Sequence, residues 1–341
     1  MKHNKVLIIY TGGTIGMVQD ESGSLHPFTM DRIYDAVPLL HRCSYDIDSC
    51  QLDNIIDSSN MTPDFWVDIA DIIEREHDHY DGFCVLHGTD TMAYSASALS
   101  FVFENLSKPI VLTGSQLPLG MLRSDGRDNI IDALEIASGN YGNIPEVCVF
   151  FEDHLFRGNR STKVSAENFD AFHTYNYPAL ADAGINIHIY REYVSPMPPE
   201  HAPLIVRKGF DRNIAVLKLF PGITSSVVNA VLSTPNLRGV ILETYGSGNA
   251  PTGAWFLDVL REAIDRGILI MDVTQCKAGS VKLKQYEASV GMERLGVLSG
   301  HDITIEAAVT KMMYILGSYG NDRALVRRLM ETSLRGEMTV L

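Results

Sequence analysis

Val6-Leu7-Ile8-Ile9-Tyr10-Thr11-Gly12-Gly13-Thr14-Ile15-Gly16 decides how the chain is read. Its apolar, β-branched run is that of a buried strand, and the glycines that follow permit the tight turn that ends it. Thr14 is thereby delivered, hydroxyl first, to the end of a strand. A second stretch, Gly82-Phe83-Cys84-Val85-Leu86-His87-Gly88-Thr89-Asp90-Thr91-Met92, repeats the plan and adds an acid directly after its threonine. Two strands that each end in a hydroxyl nucleophile candidate predict one shared site. The first turn lacks the Gly-Lys-Ser/Thr ending of a phosphate loop and the spaced glycines of a dinucleotide fingerprint. Met17 to Pro27 shows no helical period where a phosphate site needs a helix N-terminus, so it is read as a loop and nucleotide binding is disfavoured.

The chain has 341 residues, which predicts two domains or one large α/β unit. Lys+Arg 28 against Asp+Glu 42 leaves a net charge of -14, which argues against a surface that tracks nucleic-acid phosphates. The short apolar run after Met1-Lys2-His3-Asn4-Lys5 does not make a signal peptide, and no run approaches a membrane span. A cytoplasmic protein with no nucleic-acid or membrane partner is expected. Cys43, Cys50, Cys84, Cys148 and Cys276 are odd in number and scattered, without metal-ligand spacing, and are read as reduced thiols.

Strands and helices alternate through the first half. Helices are expected at 31–40, 63–76, 91–104 and 129–138, and strands at 51–56, 82–86, 110–113 and 146–151; Thr62 is the predicted cap and Pro63 the first residue of its helix. This order predicts a mainly parallel sheet, whose ligands sit beyond the carboxyl ends of the strands. Thr14, Asp57-Ser58-Ser59, Thr89-Asp90 and Ser115-Gln116 all fall at that edge, with Lys163 farther along its loop. A proline-rich stretch from Tyr193 to Asn213 then reads as a linker. The fold class is α/β with two domains: a larger N-terminal one (1–192) whose mainly parallel sheet is flanked by helices, the linker (193–213), and a smaller C-terminal α/β domain (214–341).

A threonine hydroxyl needs a base or a polarising network to act as a nucleophile. Lys163 with Asp90 or Thr89 meets that need, and the helix beginning near Thr91 points free N–H groups at the same spot, favouring an oxyanion. Ser58, Ser59 and Asp90 together suit a zwitterion. The residues alone therefore suggest an amidohydrolase or acyl-transfer enzyme for a small amino-acid-like substrate. His87 is read as a hydrogen-bonded structural histidine before a catalytic one, and His77-Asp78-His79 as solvated histidines at a helix end before a metal site.

Thr11-Gly12-Gly13-Thr14-Ile15-Gly16, His87 to Met92, Arg157-Gly158-Asn159-Arg160-Ser161-Thr162-Lys163 and Tyr245-Gly246-Ser247-Gly248-Asn249-Ala250-Pro251 resemble the signatures of the L-asparaginases. The cytoplasmic, type I branch is the more similar, and the likeness runs from about Lys5 to Glu337. The resemblance implies hydrolysis of L-asparagine to L-aspartate and ammonia, with Thr14 as nucleophile and Thr89, Asp90 and Lys163 as a second catalytic group. It also implies that Asp57, Ser58, Ser59 and Asp90 hold the substrate's charged groups, with Thr89 among the substrate contacts and no metal or organic cofactor. Ser115 is counted with the substrate contacts, although it, Gln116 and Thr162 stand evenly between direct contact and support. The family implies a dimer or dimer of dimers in which Asn249 and Tyr286 reach across to complete a site. Many relatives carry a tyrosine beside the position of Ser24; Met17 to Pro27 has none, and Tyr286 is expected to serve as the catalytic tyrosine instead.

An allosteric asparagine site in bacterial type I members uses an arginine where this chain has Glu243, so that site is expected to be absent or altered, though Thr162 is retained. One methylene separates asparagine from glutamine and is worth about 1–3 kcal/mol in a pocket, which leaves a mixed glutaminase-asparaginase as an alternative. An inactive amino-acid-binding protein and an amidotransferase subunit acting on charged transfer RNA are the others. The surviving hydroxyls, lysine and acid disfavour the first, and the acidity and short N-terminal lead disfavour the second.

Overall fold

A computed structural model describes residues 3–19, 25–27, 31–283 and 287–340. The chain forms two compact units, Met1–Arg207 and Lys208–Leu341. In the first, the run from Val6 onward is the strand Lys5–Gly12, buried at every residue but Lys5. It pairs in parallel with Asp46–Ile56 on one side and Gly82–Leu86 on the other. Ile110–Thr113 and Val147–Phe151 continue the parallel sheet. His154–Arg157, Ala181–Ala183 and Ile187–Ile189 then extend it in antiparallel pairing to eight strands.

Helices explain why the central strands are apolar on both faces, as covered parallel strands must be. Ile130, Ala133, Leu134 and Ala137 of the helix Gly126–Ala137 pack with Val6, Ile8, Cys84, Leu86 and Val111 on one face. Met92–Val102 has every residue but Tyr94 buried and packs against Val147–Phe151. Pro63–Glu76 keeps its expected bounds, but the Thr62 side chain makes no cap hydrogen bond; its carbonyl accepts from Phe65 N–H instead.

Several expected bounds move for local reasons. The helix at 31–40 stops at Ala36 because Pro38 cannot continue it, and Pro38–Arg42 forms a 3-10 turn. The helix at 129–138 begins earlier, at Gly126. Within the segment read as a loop, Met17–Gln19 and Leu25–Pro27 pair as a short antiparallel ribbon. The stretch read as a linker is fastened to the first unit. Arg157 meets Glu146 in a buried bidentate pair at 2.5 and 3.1 Å, lies over the Tyr177 ring at 4.3 Å, and donates to the carbonyl of Tyr193 and to Ser195 Oγ. Ile205–Val206 then pairs with Phe103–Glu104.

The second unit has a four-stranded parallel sheet in the order Ile214–Lys218, Gly239–Thr244, Leu269–Thr274, Leu298–Ser299. Its helices end at the edge where those strands begin, and arginines meet the carbonyls there. Arg266 donates to Leu232 O, Arg238 to Gly320 O and Arg327 to Gly296 O. A cation at a helix C-terminus offsets the negative end of the helix dipole.

One carboxylate sits inside this sheet without a counter-charge among the described residues. Asp272 is fully buried; one oxygen accepts from Thr244 Oγ1 at 2.7 Å, and Oδ2 has no hydrogen-bond partner among the described residues. Burial pushes its pKa up from 3.8 to about 7, against the lowering pull of Thr244. The folded protein therefore holds this proton where the unfolded chain has lost it, so stability falls as pH rises from about 3.8 to about 7 and the penalty is complete above that. At about 1.4 kcal/mol per pH unit, less about 1–3 kcal/mol for burying new unpaired amide hydrogens, Asp272→Asn is expected to gain about 2 kcal/mol at pH 8. Urea titrations at pH 4 and pH 8 check this: the gain shrinks towards zero or reverses at pH 4, and an equal gain at both would refute it.

Candidate active site

Backbone contact brings the two threonine turns together. Gly12 and Gly13 have φ of +118 and +90, the left-handed region that favours glycine. A Cβ on Gly13 would lie 2.4 Å from Gly88 Cα, and one on Gly88 would lie 2.5 Å from Ser58 Oγ. Only hydrogen at both positions lets the ends of three strands close to this distance. Thr11 Oγ1 donates to Leu86 O at 3.0 Å and Thr91 Oγ1 to Ser58 O at 2.7 Å, which stitches the same three turns. Thr14 opens the 3-10 turn Thr14–Gly16 directly after this contact, half-buried, and Thr89 opens the turn Thr89–Thr91, buried.

Lys163 reaches this edge from the strand Thr162–Lys163, held in register by pairing with Phe172–His173. Its ammonium donates to Thr89 Oγ1 at 2.8 Å and to Asp90 Oδ1 at 2.7 Å. The lysine side chain is 18% exposed and that of Asp90 65%, so the pair runs from the interior to solvent. Thr89 in turn donates to Gln116 Oε1 at 3.2 Å. Lysine, threonine and acid thus share one hydrogen-bonded group.

The neighbouring candidates are placed with different degrees of freedom. Asp57 caps the 3-10 turn Ser58–Asn60, one carboxylate oxygen accepting from Ser59 N–H at 2.8 Å, which leaves the other open among the described residues. Ser58 is buried and Ser59 exposed. Ser115 is 1% exposed and its hydroxyl donates to Leu117 O at 2.6 Å, so only its oxygen lone pairs remain to be offered. Asn249 lies in the second unit on a turn closed by its backbone pairing with Tyr245. Tyr286 and Ser24 lie outside the described residues.

His87 is structural. Trp66 Nε1–H donates to Ser95 Oγ at 2.9 Å, Ser95 lies 2.8 Å from His87 Nε2, and His87 Nδ1 lies 2.7 Å from Gly88 O. A carbonyl only accepts, so Nδ1 carries the hydrogen and Nε2 accepts from the serine. Burial drops the His87 pKa to about 4, which keeps the ring neutral and its hydrogen on the Gly88 carbonyl. The ring therefore orients the peptide that precedes Thr89.

The family model described as Asparaginase, N-terminal matches residues 5–195, and the one described as Glutaminase/Asparaginase C-terminal domain matches 213–330. The chain belongs to the asparaginase family. It is 44% identical to L-asparaginase 1 of Escherichia coli (strain K12), over 99% of each chain. It is 43% identical to the 60 kDa lysophospholipase of Homo sapiens, over 98% of this chain and 61% of that one. The crystal structure of L-asparaginase I from Vibrio cholerae O1 biovar eltor matches with a TM-score of 0.90 at 41% identity, covering 99% of this chain and 100% of that one.

Within the asparaginase framework, sequence reading missed how firmly the Gly114-Ser115-Gln116 turn is held. Asp125 accepts from the N–H groups of Gln116 and Leu117, and Asn129 donates to Gly114 O. The available signal was Asp125 itself, an acid at the start of a helix that follows a strand-end turn by only a few residues.

Proposed function

We propose that the protein is an L-asparagine amidohydrolase working through a threonine nucleophile. The observation that carries the reading is the Lys163 ammonium bridging Thr89 Oγ1 and Asp90 Oδ1 at 2.8 and 2.7 Å, beside the touching glycines that precede both threonines. Thr14 Oγ attacks the side-chain amide carbon of asparagine, and its proton passes to a base, the role assigned to Tyr286. N–H groups at the turn before the helix Met92–Val102 stabilise the oxyanion. Collapse breaks the C–N bond, the nitrogen leaves as ammonia with the proton it gains, and a β-aspartyl ester remains on Thr14. Water attacks that ester, aspartate leaves, and the proton returns to Thr14. Lys163 and Asp90 hold Thr89 in place during both steps.

Asp57 and Asp90 take the substrate ammonium and Ser58 and Ser59 the carboxylate, with Thr89, Ser115 and Asn249 completing the set. The assembly is a homo-oligomer, a dimer or dimer of dimers, in which Asn249 of one copy serves the site of another. The five cysteines are free thiols, which suits a reducing cytoplasm.

Ammonia release from L-asparagine, with L-glutamine in parallel, tests the reading. Turnover of asparagine is expected; silence towards both amides with retained L-aspartate binding would make the protein an amino-acid binder. A second outcome concerns cooperativity. Glu243 is largely buried, 3.6 Å from Lys218 Nζ, and presents an anion where an effector carboxylate needs a cation. Initial rates against asparagine are therefore expected to be hyperbolic, and clear sigmoidicity would refute that expectation.

A further inference from the structure

We infer that Gln116 is a positioning residue for the Thr89–Lys163–Asp90 group, fixing where the Thr89 hydroxyl points its hydrogen and binding that hydroxyl to the segment after Lys163. The inference rests on the amidohydrolase reading above. Gln116 follows the strand Ile110–Thr113, and its own N–H is locked to both oxygens of Asp125 at 3.1 and 2.9 Å. Its side-chain orientation is dictated by chemistry. The amide nitrogen faces Asn168 O at 3.0 Å and Ser165 O at 3.4 Å, and two carbonyls accept only, so a flipped amide would set oxygen against oxygen. The amide oxygen is left facing Thr89 Oγ1 at 3.2 Å.

A hydroxyl has one hydrogen and two lone pairs. On Thr89 the hydrogen goes to Gln116 and one lone pair accepts from Lys163 at 2.8 Å. One lone pair remains, so Thr89 meets the substrate as an acceptor. Such a hydroxyl suits an amide or ammonium N–H, and it cannot turn its hydrogen on the nucleophile's oxygen. The same amide ties Thr89 to residues 165–168, two positions beyond Lys163, and so sets the distance between the lysine strand and the threonine turn.

Two variants test this. Gln116→Leu frees the Thr89 hydrogen and is expected to lower kcat for asparagine about ten- to hundredfold while changing KM little. In Gln116→Glu, the protonated carboxyl can still donate to one of the two carbonyls, whereas the ionised form sets negative oxygens against both. Its kcat should approach wild type at acidic pH and acquire a new descending limb as pH rises. A residue that merely filled space would lower stability without adding that limb. An active wild type with a Gln116→Leu variant of unchanged kcat, or a Gln116→Glu profile parallel to wild type, overturns the inference alone. A wild type that releases no ammonia overturns the amidohydrolase reading and the inference together. Should Gln116→Leu fail to fold, the Gln116→Glu profile decides.

Discussion

Thr14→Ala is expected to lose at least about three orders of magnitude in kcat for ammonia release from L-asparagine, equivalent to about 4 kcal/mol of transition-state stabilisation. The reason lies in the division of labour at the strand ends. In the mechanism proposed above, removing the Thr14 oxygen removes the atom to which the acyl group bonds, and no rearrangement of Lys163 or Asp90 replaces it. The backbone around it should survive: the turn is closed by Gly16 N–H donating to Gly13 O at 3.2 Å, a main-chain bond that alanine keeps. The variant should therefore still bind L-aspartate, measured by calorimetry, with affinity near wild type. An alanine variant that keeps more than about a tenth of wild-type kcat would remove Thr14 from the mechanism and turn attention to Thr89.

The candidate site is legible in sequence where its polar residues stand next to strand ends. An apolar run leads within a few residues to a glycine followed by a threonine, and the same grammar occurs twice, so Thr14 and Thr89 are placed at strand ends by short-range pattern alone. Lys163 is legible less directly, since among the described residues the two-residue strand it sits on pairs with Phe172–His173 alone. Gln116 stands evenly between direct contact and support in the sequence, because its partners Thr89, Ser165 and Asn168 are brought near by sheet order and by a loop, neither of which has a local signature.

The antiparallel extension of the first sheet was missed for a related reason. Strands such as Ala181–Ala183 and Ile187–Ile189 are three residues long, too short to show periodicity. Two buried ionisable residues leave a trace in the sequence. Asp272 interrupts the apolar run Ile268-Leu269-Ile270-Met271, and Lys311 stands between Val309-Thr310 and Met312-Met313 in a helix buried along most of its length. A charge inside an apolar run is a signal that a partner, or a proton, must be found for it.

For Lys311 the partner is Glu337, and separating them is expected to cost the second unit about 3–5 kcal/mol. Both side chains have zero exposure, and Lys311 Nζ lies 2.6 Å from Glu337 Oε1. The ammonium also donates to Met330 O at 3.0 Å and Thr332 O at 2.6 Å, which gives three oxygen acceptors to three hydrogens, with Met338 Sδ a weaker neighbour at 3.8 Å. Glu337 accepts in addition from the N–H groups of Leu334 and Arg335. Burial alone would raise the Glu337 pKa, but Lys311 and those N–H groups outweigh it and hold it below the ordinary carboxylate value. The stability that Glu337 contributes is thus present at neutral pH and lost as pH falls through its lowered pKa.

Glu337→Ala strands a buried cation and the N–H groups of Leu334 and Arg335 at once. Replacing both partners, Lys311→Met with Glu337→Leu, removes the charge along with its counter-charge and should recover much of the loss. Each unit carries one of the two tryptophans, Trp66 in the first and Trp255 in the second. In a Trp66→Phe background, fluorescence during urea unfolding follows the second unit by itself. A Glu337→Ala midpoint close to the parent's, or a double variant no better than the single, would show that the pair contributes no such coupling.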